Sequence, residues 1–283
     1  MTSSNLSALQ LVSGPSASDN MEKIKALVAD LAPQKNQLLL LPENALCVAD
    51  KMHYLRLAET LGDGPFQNQL SALAKQYHCY LICGSFPIKS SIKNKIHTTS
   101  LVFSPSGKLI SHYHKIHLFD ALVDDEQGAY KESDTFEPGI SLQVFDWKTD
   151  NGTFKVGLSI CYDLRFPGLF QALRSQGADI LLVPAAFTYV TGKAHWLALL
   201  QARAIENQCY VIAANQGGIH KGMTASQVES YGHSMIISPW GDILDEHKCN
   251  EGFVCASFSK TVIDDLRASM PISTHNRFTS VLK

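Results

Sequence analysis

The 283-residue chain is 45% hydrophobic and 18% charged, which is enough apolar material for a large buried core and excludes a disordered protein. Its 24 Lys and Arg residues and 26 Asp and Glu residues give a formal net charge of -2, so it offers no basic field to nucleic acid or anionic lipid. Because the sequence shows neither a signal-peptide pattern nor an apolar run of membrane-spanning length, we expect a cytoplasmic protein that acts on a small molecule.

The first half of the chain alternates predicted strands and helices. Short apolar runs between turn residues favour strands, and apolar residues at helical spacing favour helices. The order is strand 6–11, helix 21–31 capped from 18–20, strand 37–41, a helical stretch from Met52, a turn at 62–65, helix 66–77, and strands 79–86, 98–103 and 109–114. Pro42 cannot donate a sheet hydrogen bond, so strand 37–41 should end there and leave Glu43 just past its carboxyl end.

The second half continues the pattern after a polar stretch at 120–139, which contains Glu132 and is long enough to be a functional loop. Pro42 and Pro184 each follow an apolar run. This pattern predicts two strands of one sheet, each of which ends at a proline. We expect a single α/β domain over 1–283, because no linker or repeat marks a boundary. The predicted elements are strands 142–147 and 154–160 around an Asp-Asn-Gly hairpin turn, helix 168–176, strand 180–183, helix 194–207, strand 210–214, strands 232–237 and 253–258 about a turn at 239–241, and helix 262–268.

Cys161 ends an apolar run and is followed by polar and aromatic residues, as when a buried strand ends in a reactive turn. Most cysteines are buried and inert. The seven cysteines include no Cys-x-x-Cys pair, which favours reduced thiols over a zinc site or a redox dithiol. Cys161 differs from the rest because two other strands deliver a carboxylate, Glu43, and an ammonium, Lys115.

These three residue types suffice for the hydrolysis of an amide. A thiolate attacks, so a cation must lower the thiol pKa or a base must take the proton, and Lys115 and Glu43 can do so. Lys115 and the backbone N–H of Tyr162 could stabilise the oxyanion. One carboxylate, such as Glu43, can protonate the leaving amine and then activate water. Sequence spacing alone does not bring these residues together.

The motifs Leu-Pro-Glu43, Lys115-Ile-His-Leu-Phe and Cys161-Tyr-Asp-Leu-Arg-Phe-Pro resemble, in this order, the three signatures of the nitrilase superfamily of carbon–nitrogen hydrolases. The resemblance implies a four-layer α-β-β-α sandwich and a triad of base, stabilising cation and nucleophile that acts through a thioester. It implies no metal or other cofactor, and a homodimer joined through the predicted helices 168–176 and 194–207. In Glu-Ser-x-Thr-x-x-Pro-Gly139 it places a second active-site glutamate on Glu132.

Within the superfamily, the sequence resembles the amidase branch that hydrolyses deaminated glutathione. For such a substrate Arg165 would bind the 2-oxo acid carboxylate, Tyr130 and Phe187 would form apolar walls, and Thr191 would supply a hydroxyl. The further motifs are Thr191-Gly-x-Ala-His-Trp196, Ala202-Arg-Ala-Ile-Glu-Asn-Gln-Cys-Tyr210 and Ser230-Tyr-Gly-His-Ser-Met235. The departures are His114 for an Arg, no Asn near Thr98, Gly168 and Leu197 where Glu is common, and a longer segment at 217–229.

Other roles for these side chains remain open at the sequence level. Arg165 could pair with Asp163 instead of a substrate. A metal site of His112, His114 and His117 is disfavoured by the intervening Lys115 and because only 112 and 114 would share a strand face.

Two pairs on or near the helix 194–207 have similar alternatives. His195 and His233 could serve Cys161 as a base, although His195 should open that helix and pack or cap. Arg203 and Glu206, three residues apart, are interpreted as a structural ion pair.

The function itself also has alternatives. The same triad would serve an omega-amidase or an N-carbamoyl hydrolase, which leaves the acyl group open. A nonenzymatic nitrilase-like scaffold that binds partners through a dimer face is disfavoured, because a scaffold needs no converging thiol, ammonium and carboxylate.

Overall fold

The computed structural model describes residues 4–125, 128–220 and 228–282, and within them helices flank two large sheets. The strands are β1 Ser4–Gln10, β2 Leu38–Leu40, β3 Tyr80–Lys89, β4 Ile96–Phe103, β5 Leu109–His114, β6 Asp120–Leu122, β7 Ala129–Lys131, β8 Val144–Thr149, β9 Gly152–Leu158, β10 Ile180–Ala185, β11 Tyr210–Asn215, β12 Gly217–His220, β13 Val228–Tyr231, β14 Ser234–Ile237, β15 Ile243–His247 and β16 Gly252–Phe258. The helices are α1 Ala17–Leu31, α2 Lys51–Leu57, α3 Pro65–Gln76, α4 Pro167–Ser175, α5 Tyr189–Asn207, α6 Lys260–Ser269 and α7 Ile272–His275, with 3₁₀ turns at Glu132–Asp134 and Cys161–Arg165.

Alternating side chains in the first sheet explain the layers. Leu38 and Leu40 contribute to one core with residues of the second sheet, α4 and α5, whereas Leu39 and Leu41 contribute to another with α1 and α3. Successive side chains of a strand point to opposite faces of the sheet, so an apolar strand needs packing partners on both faces. The result is helix, sheet, sheet and helix in layers, and the predicted α-β-β-α sandwich is confirmed.

Parallel strands form the centre of each sheet. In the described ranges the six-stranded orders are β16-β1-β2-β3-β4-β5 and β15-β14-β11-β10-β9-β8. Strands β1, β2 and β3 are parallel to one another, as are β9, β10 and β11. Two successive antiparallel pairings turn β5 back into the direction of β3. The carboxyl ends of β2 and β5 therefore lie at the same edge of their sheet.

Gly84 in β3 lies where the two sheets come into close contact. A Cβ at this position would stand 2.1 Å from the Leu41 carbonyl oxygen and 2.4 Å from the Pro184 side chain, so the space admits only glycine. The prediction that Pro42 and Pro184 end two strands of one sheet is wrong. Strand β2 pairs with β1 and β3, whereas β10, which contains Pro184, pairs with β9 and β11, and the two strands meet across the sheet interface.

Some predicted boundaries were also wrong. The turn at 239–241 leads into β15, which pairs with β14, and β16 lies in the other sheet beside β1. Strand β15 was not predicted, because none of its side chains is buried and its sequence therefore lacks the alternation of apolar and polar residues that indicates a strand. Helix α1 begins after Ser16, whose side chain caps it, rather than after 18–20. Helix α5 begins at Tyr189 because Thr188 caps it, and the stretch 120–139 holds the β6–β7 hairpin.

Across the described ranges, no helix has the combined length and apolar character that a bilayer crossing requires.

Candidate active site

Cys161 is the first residue of the 3₁₀ turn Cys161–Arg165, three residues after β9 ends. Its φ is +47°, in the left-handed region that costs a residue with a side chain about 1–2 kcal/mol. It is partly exposed, whereas Cys47, Cys79, Cys83 and Cys209 are buried. The turn thus presents the thiol where a strained backbone ends a buried strand, as the sequence predicted.

Asp163 holds this turn against the segment that carries Lys115. Its buried carboxylate accepts hydrogen bonds from the Ile160 N–H at 2.9 Å and from the Tyr113 hydroxyl at 2.7 Å. It also accepts from the backbone N–H of His117 at 3.1 Å and contacts His117 Nδ1 at 2.7 Å. Tyr113 and His117 lie two residues either side of Lys115, so one carboxylate fixes the position of both strand ends.

Arg203 fixes the turn from the other side. Its Nε and Nη2 donate to the Leu164 carbonyl oxygen at 3.1 and 2.7 Å, and Nη1 pairs with Glu206 at 2.9 Å. The guanidinium is buried and lies 5.3 Å from the Phe170 ring centroid. The structural interpretation of Arg203 and Glu206 is confirmed, with a buried arginine rather than a solvated pair.

Lys115 lies between two carboxylates. Its Nζ is 2.8 Å from Glu43 Oε1 and 2.9 Å from Glu132 Oε1, and the side chain is only 1% exposed. Burial by itself would lower the pKa of Lys115, but the charges of Glu132 and Glu43 raise it well above its ordinary value. Lys115 therefore remains an ammonium at neutral pH.

Backbone donors orient the two carboxylates. Glu43 Oε2 accepts from the Ala186 N–H at 3.0 Å, just beyond β10, and Glu132 Oε2 accepts from the Phe119 N–H at 2.7 Å. Burial, opposed by Lys115, raises the pKa of the Glu132 carboxyl, and the like charge of Glu43 raises it further. Each carboxylate thus binds Lys115 through one oxygen and a backbone N–H through the other.

The Cys161 thiol is protonated at rest. Burial raises its pKa well above the ordinary value, the charge of Glu43 raises it further, and Lys115 opposes this shift only in part. The Glu43 carboxylate thus favours the protonated form of the thiol. The raised pKa therefore favours removal of the proton by a base over a preformed thiolate.

One cavity of about 400 Å³ contains the whole constellation. Its volume is in the range of small-molecule sites. The sequence-predicted residues that line it are Glu43, Tyr130, Lys115, Glu132, Cys161, Tyr162, Arg165, Phe187 and Thr191. Every predicted site residue thus lines the same cavity.

Arg165 does not pair with Asp163. The Asp163 oxygens are taken by Tyr113, Ile160 and His117, and among the described residues no carboxylate lies within ion-pair distance of Arg165. The guanidinium carbon lies 5.3 Å from the Phe187 ring centroid, and Nη1 is 3.3 Å from His195 Nδ1. Arg165 therefore presents a positive charge to the cavity.

The histidines have other partners. His114 Nδ1 is 2.8 Å from Thr99 Oγ1, and His117 is bound to Asp163. His233 Nδ1 is 2.6 Å from Glu246 Oε1. His195 lies exposed inside α5 rather than at its start, because that helix begins at Tyr189.

Sequence reasoning missed several residues of the cavity. Lys51, Tyr54, Phe119 and Lys131 line it, and Ala186 orients Glu43 through its backbone. A backbone donor leaves no mark in the sequence beyond the strand end that Pro184 indicated. Of the longer segment 217–229, residues 221–227 lie outside the described residues.

Several known proteins are similar to this chain in sequence and in fold. The carbon–nitrogen hydrolase family model matches residues 5–267. A protein from Yersinia enterocolitica named deaminated glutathione amidase is 43% identical over 283 residues, which are 100% of this chain and 96% of that protein. An omega-amidase from Xenopus laevis is 36% identical and covers 98% of this chain and 96% of its own length.

A solved structure agrees with the sequence matches. Nit3 from Saccharomyces cerevisiae, described as a member of branch 10 of the nitrilase superfamily, superposes with a TM-score of 0.83 and 28% identity and covers 97% of both chains. The matched region includes both sheets and every residue of the constellation around Cys161. The chain therefore belongs to the carbon–nitrogen hydrolase family of the nitrilase superfamily, as its three motifs predicted.

Proposed function

We propose that the protein is an amidase that hydrolyses deaminated glutathione to 2-oxoglutarate and cysteinylglycine through a thioester on Cys161. The observation that supports this most is the meeting of Cys161, Lys115 and two buried carboxylates in one cavity. The substrate is suggested by the 43% identical relative that carries that name.

The first half of the reaction forms the thioester. Glu43 takes the thiol proton, and the Cys161 sulfur adds to the amide carbonyl carbon. Lys115 and the Tyr162 N–H stabilise the oxygen that becomes negative; among the described residues this N–H has no other acceptor. As the C–N bond breaks, Glu43 returns its proton to the nitrogen, and cysteinylglycine leaves as the amine.

The second half releases the acid. Glu43, again a carboxylate, takes a proton from a water molecule whose oxygen attacks the thioester carbonyl. The same donors stabilise the second oxyanion, and the C–S bond breaks to give 2-oxoglutarate and a thiolate that recovers the proton from Glu43. Glu132 shares Lys115 with Glu43 and so keeps the ammonium beside the carbonyl. This sequence needs no metal or other cofactor.

Arg165 suits the acyl half of that substrate. Its guanidinium faces the cavity four residues after Cys161 and can accept a 2-oxo acid carboxylate through two N–H groups. Phe187 supplies an apolar wall beside it, Tyr130 another, and Thr191 a hydroxyl.

The test is to incubate the purified protein with deaminated glutathione and measure cysteinylglycine and 2-oxoglutarate. We expect both products in equal amounts, with a rate unchanged by EDTA. Cys161→Ala should reduce the rate by at least about a thousandfold, because the covalent step is lost. Glu43→Gln should leave a folded protein that neither forms nor hydrolyses the thioester, and mass spectrometry of a slow variant should find the acyl group on Cys161.

Cys249→Ala is the matched control, because Cys249 is exposed and does not line the cavity. It should keep the wild-type rate. Near-normal turnover by Cys161→Ala would contradict covalent catalysis, and release of ammonia instead of cysteinylglycine from competing amides would favour the omega-amidase reaction.

A further inference from the structure

The cavity carries a second set of positive charges besides Arg165. Lys51 begins α2 and Lys131 ends β7, and both line the cavity that contains Cys161. Neither lysine belongs to a motif that predicted the site. Since the two come from separate elements, the fold rather than the local sequence brings them together.

Both ammonium groups contact the same residue, Asp134. Lys51 Nζ donates to the Asp134 carbonyl oxygen at 2.7 Å, and Lys131 Nζ lies 3.6 Å from the Asp134 carboxylate. The Lys131 and Asp134 side chains are 68% and 61% exposed, so this ion pair is weak and easily exchanged. The Asp134 carboxylate approaches only Lys131, because Lys51 contacts the Asp134 backbone oxygen, so an added anion can still be attracted to the two ammonium groups.

The remaining charges of the cavity are already engaged. Glu43 and Glu132 bind Lys115. The Asp50 carboxylate accepts from the Met52 and His53 N–H groups at the start of α2. Within the described lining, Arg165, Lys51 and Lys131 are therefore the cations that have no buried carboxylate partner.

Lys131 and Arg165 are each close in the chain to a residue of the constellation around Cys161. Lys131 precedes Glu132, which binds Lys115, whereas Arg165 follows Cys161 by four residues on the other half of the fold. A substrate that places its acyl carboxylate on Arg165 has its leaving group directed away from that side. A second carboxylate on the leaving group would then meet Lys51 and Lys131.

We propose that Lys51 and Lys131 form a subsite for a carboxylate on the leaving amine, so that the preferred substrates are linear amides with a carboxylate at each end. This inference deepens the proposed function and rests on it for the orientation of the substrate. Deaminated glutathione has both carboxylates, because cysteinylglycine ends in one. 2-Oxoglutaramate has only the acyl carboxylate and releases ammonia, so it cannot use this subsite.

The experiment compares three substrates: deaminated glutathione, its C-terminal carboxamide, and 2-oxoglutaramate. In the double variant Lys51→Met with Lys131→Met, we expect KM for deaminated glutathione to rise about tenfold, since each exposed pair contributes about two- to fivefold. KM for the carboxamide and for 2-oxoglutaramate should stay within about twofold of wild type, and kcat should not change. Lys108→Met, at an exposed lysine outside the cavity, is the matched control and should change nothing.

Equal losses on deaminated glutathione and its carboxamide, or no loss on either, would overturn the subsite. Calorimetric binding to the Cys161→Ala protein makes the test independent of turnover. If the wild-type protein hydrolyses none of the three compounds while binding still prefers the free acid through the two lysines, the proposed reaction fails and the subsite stands. If it hydrolyses them with the same KM for free acid and carboxamide, the reaction stands and the subsite fails.

Discussion

At the scale of single residues, the surroundings of Cys161 and Lys115 set their protonation states. Cys161 keeps its proton because burial and Glu43 raise its thiol pKa, and Lys115 keeps its charge because two carboxylates contact it. When an oxyanion forms beside such a buried cation, little free energy is spent on reorganising the site, because the position of the cation is already fixed. Lys115 thus donates a hydrogen bond to Glu43.

Arg165→Lys tests the acyl-side contact. Lysine keeps the charge but loses the planar fork, so we expect KM for 2-oxo acid amides to rise about tenfold. KM for a small neutral amide should change less than about twofold, and steady-state kinetics on both substrates measures the difference. Arg56→Lys, on the exposed side of α2, is the control and should leave both values unchanged. Equal effects on both amides would assign Arg165 a structural role and would favour the alternative hypothesis of an N-carbamoyl hydrolase.

At the scale of elements, β4 and β5 bring together a group of histidines, one of which directly precedes Lys115. The His114 ring stacks on His97 at 4.1 Å and lies 5.2 Å from the His112 ring. Burial, then the proximity of His97 and His112, lowers the pKa of His114 from 6.5 to about 4, with Glu137 opposing the shift. Strand pairing thus places His114 in an environment that disfavours its charged form.

The pH dependence of stability follows from that shift. Between pH 6.5 and about 4 the unfolded chain holds a proton on residue 114 that the folded protein lacks, so the free energy of unfolding falls as pH is lowered through this window. One proton limits the slope to about 1.4 kcal/mol per pH unit. We expect His114→Asn to flatten the curve of denaturant midpoint against pH in this window.

His78→Asn is the control for that measurement, because His78 is exposed and lies far from these strands in the sequence. Its curve should run parallel to that of the wild type. A His114→Asn curve that also runs parallel to the wild-type curve would show that His114 does not cause the loss of stability at acid pH.

At the scale of the whole molecule, the two sheets join residues that are distant in the sequence. The contact at Gly84 brings the ends of β2 and β10 together, and the Ala186 N–H beyond β10 then reaches Glu43. A single domain over 1–283 stays a prediction, in keeping with a core that draws on both sheets.

The homodimer also stays a prediction, and the surface of α5 supports it. Leu197 is 41% and Ile205 49% exposed there, and Trp240, beside Ile205 through the turn at Gly241, is 62% exposed. Apolar side chains grouped on one face favour burial against a second copy. Light scattering at micromolar concentration should give twice the 31.1 kDa mass of the chain.

Ile205→Asp should shift that mass toward the monomer, because a carboxylate in an apolar interface is costly to desolvate. Ile92→Asp is the matched control, since Ile92 is equally apolar and exposed but lies outside the helices. A wild-type protein that already scatters as a monomer would contradict the dimer.

The sequence by itself determined the alternation of elements and the family, and it predicted the triad. Apolar periodicity located most strands and helices to within a few residues, since burial imposes a spacing that is local to each segment. The motifs around Glu43, Lys115 and Cys161 predicted the triad, because their order resembles the three signatures of the family. They also indicated Arg165, Tyr130 and their neighbours through resemblance.

Only the tertiary structure decided which strands share a sheet and which groups share protons. The pairing of β2 and β10 with different sheets, and the position of β15, depend on contacts between segments far apart in the chain, which local patterns do not encode. The same holds for Asp163, whose carboxylate binds the Lys115 segment rather than Arg165. The convergence of Lys51 and Lys131 at the cavity rim arises in the same way, because an electrostatic environment exists only once distant residues have been brought within a few ångströms.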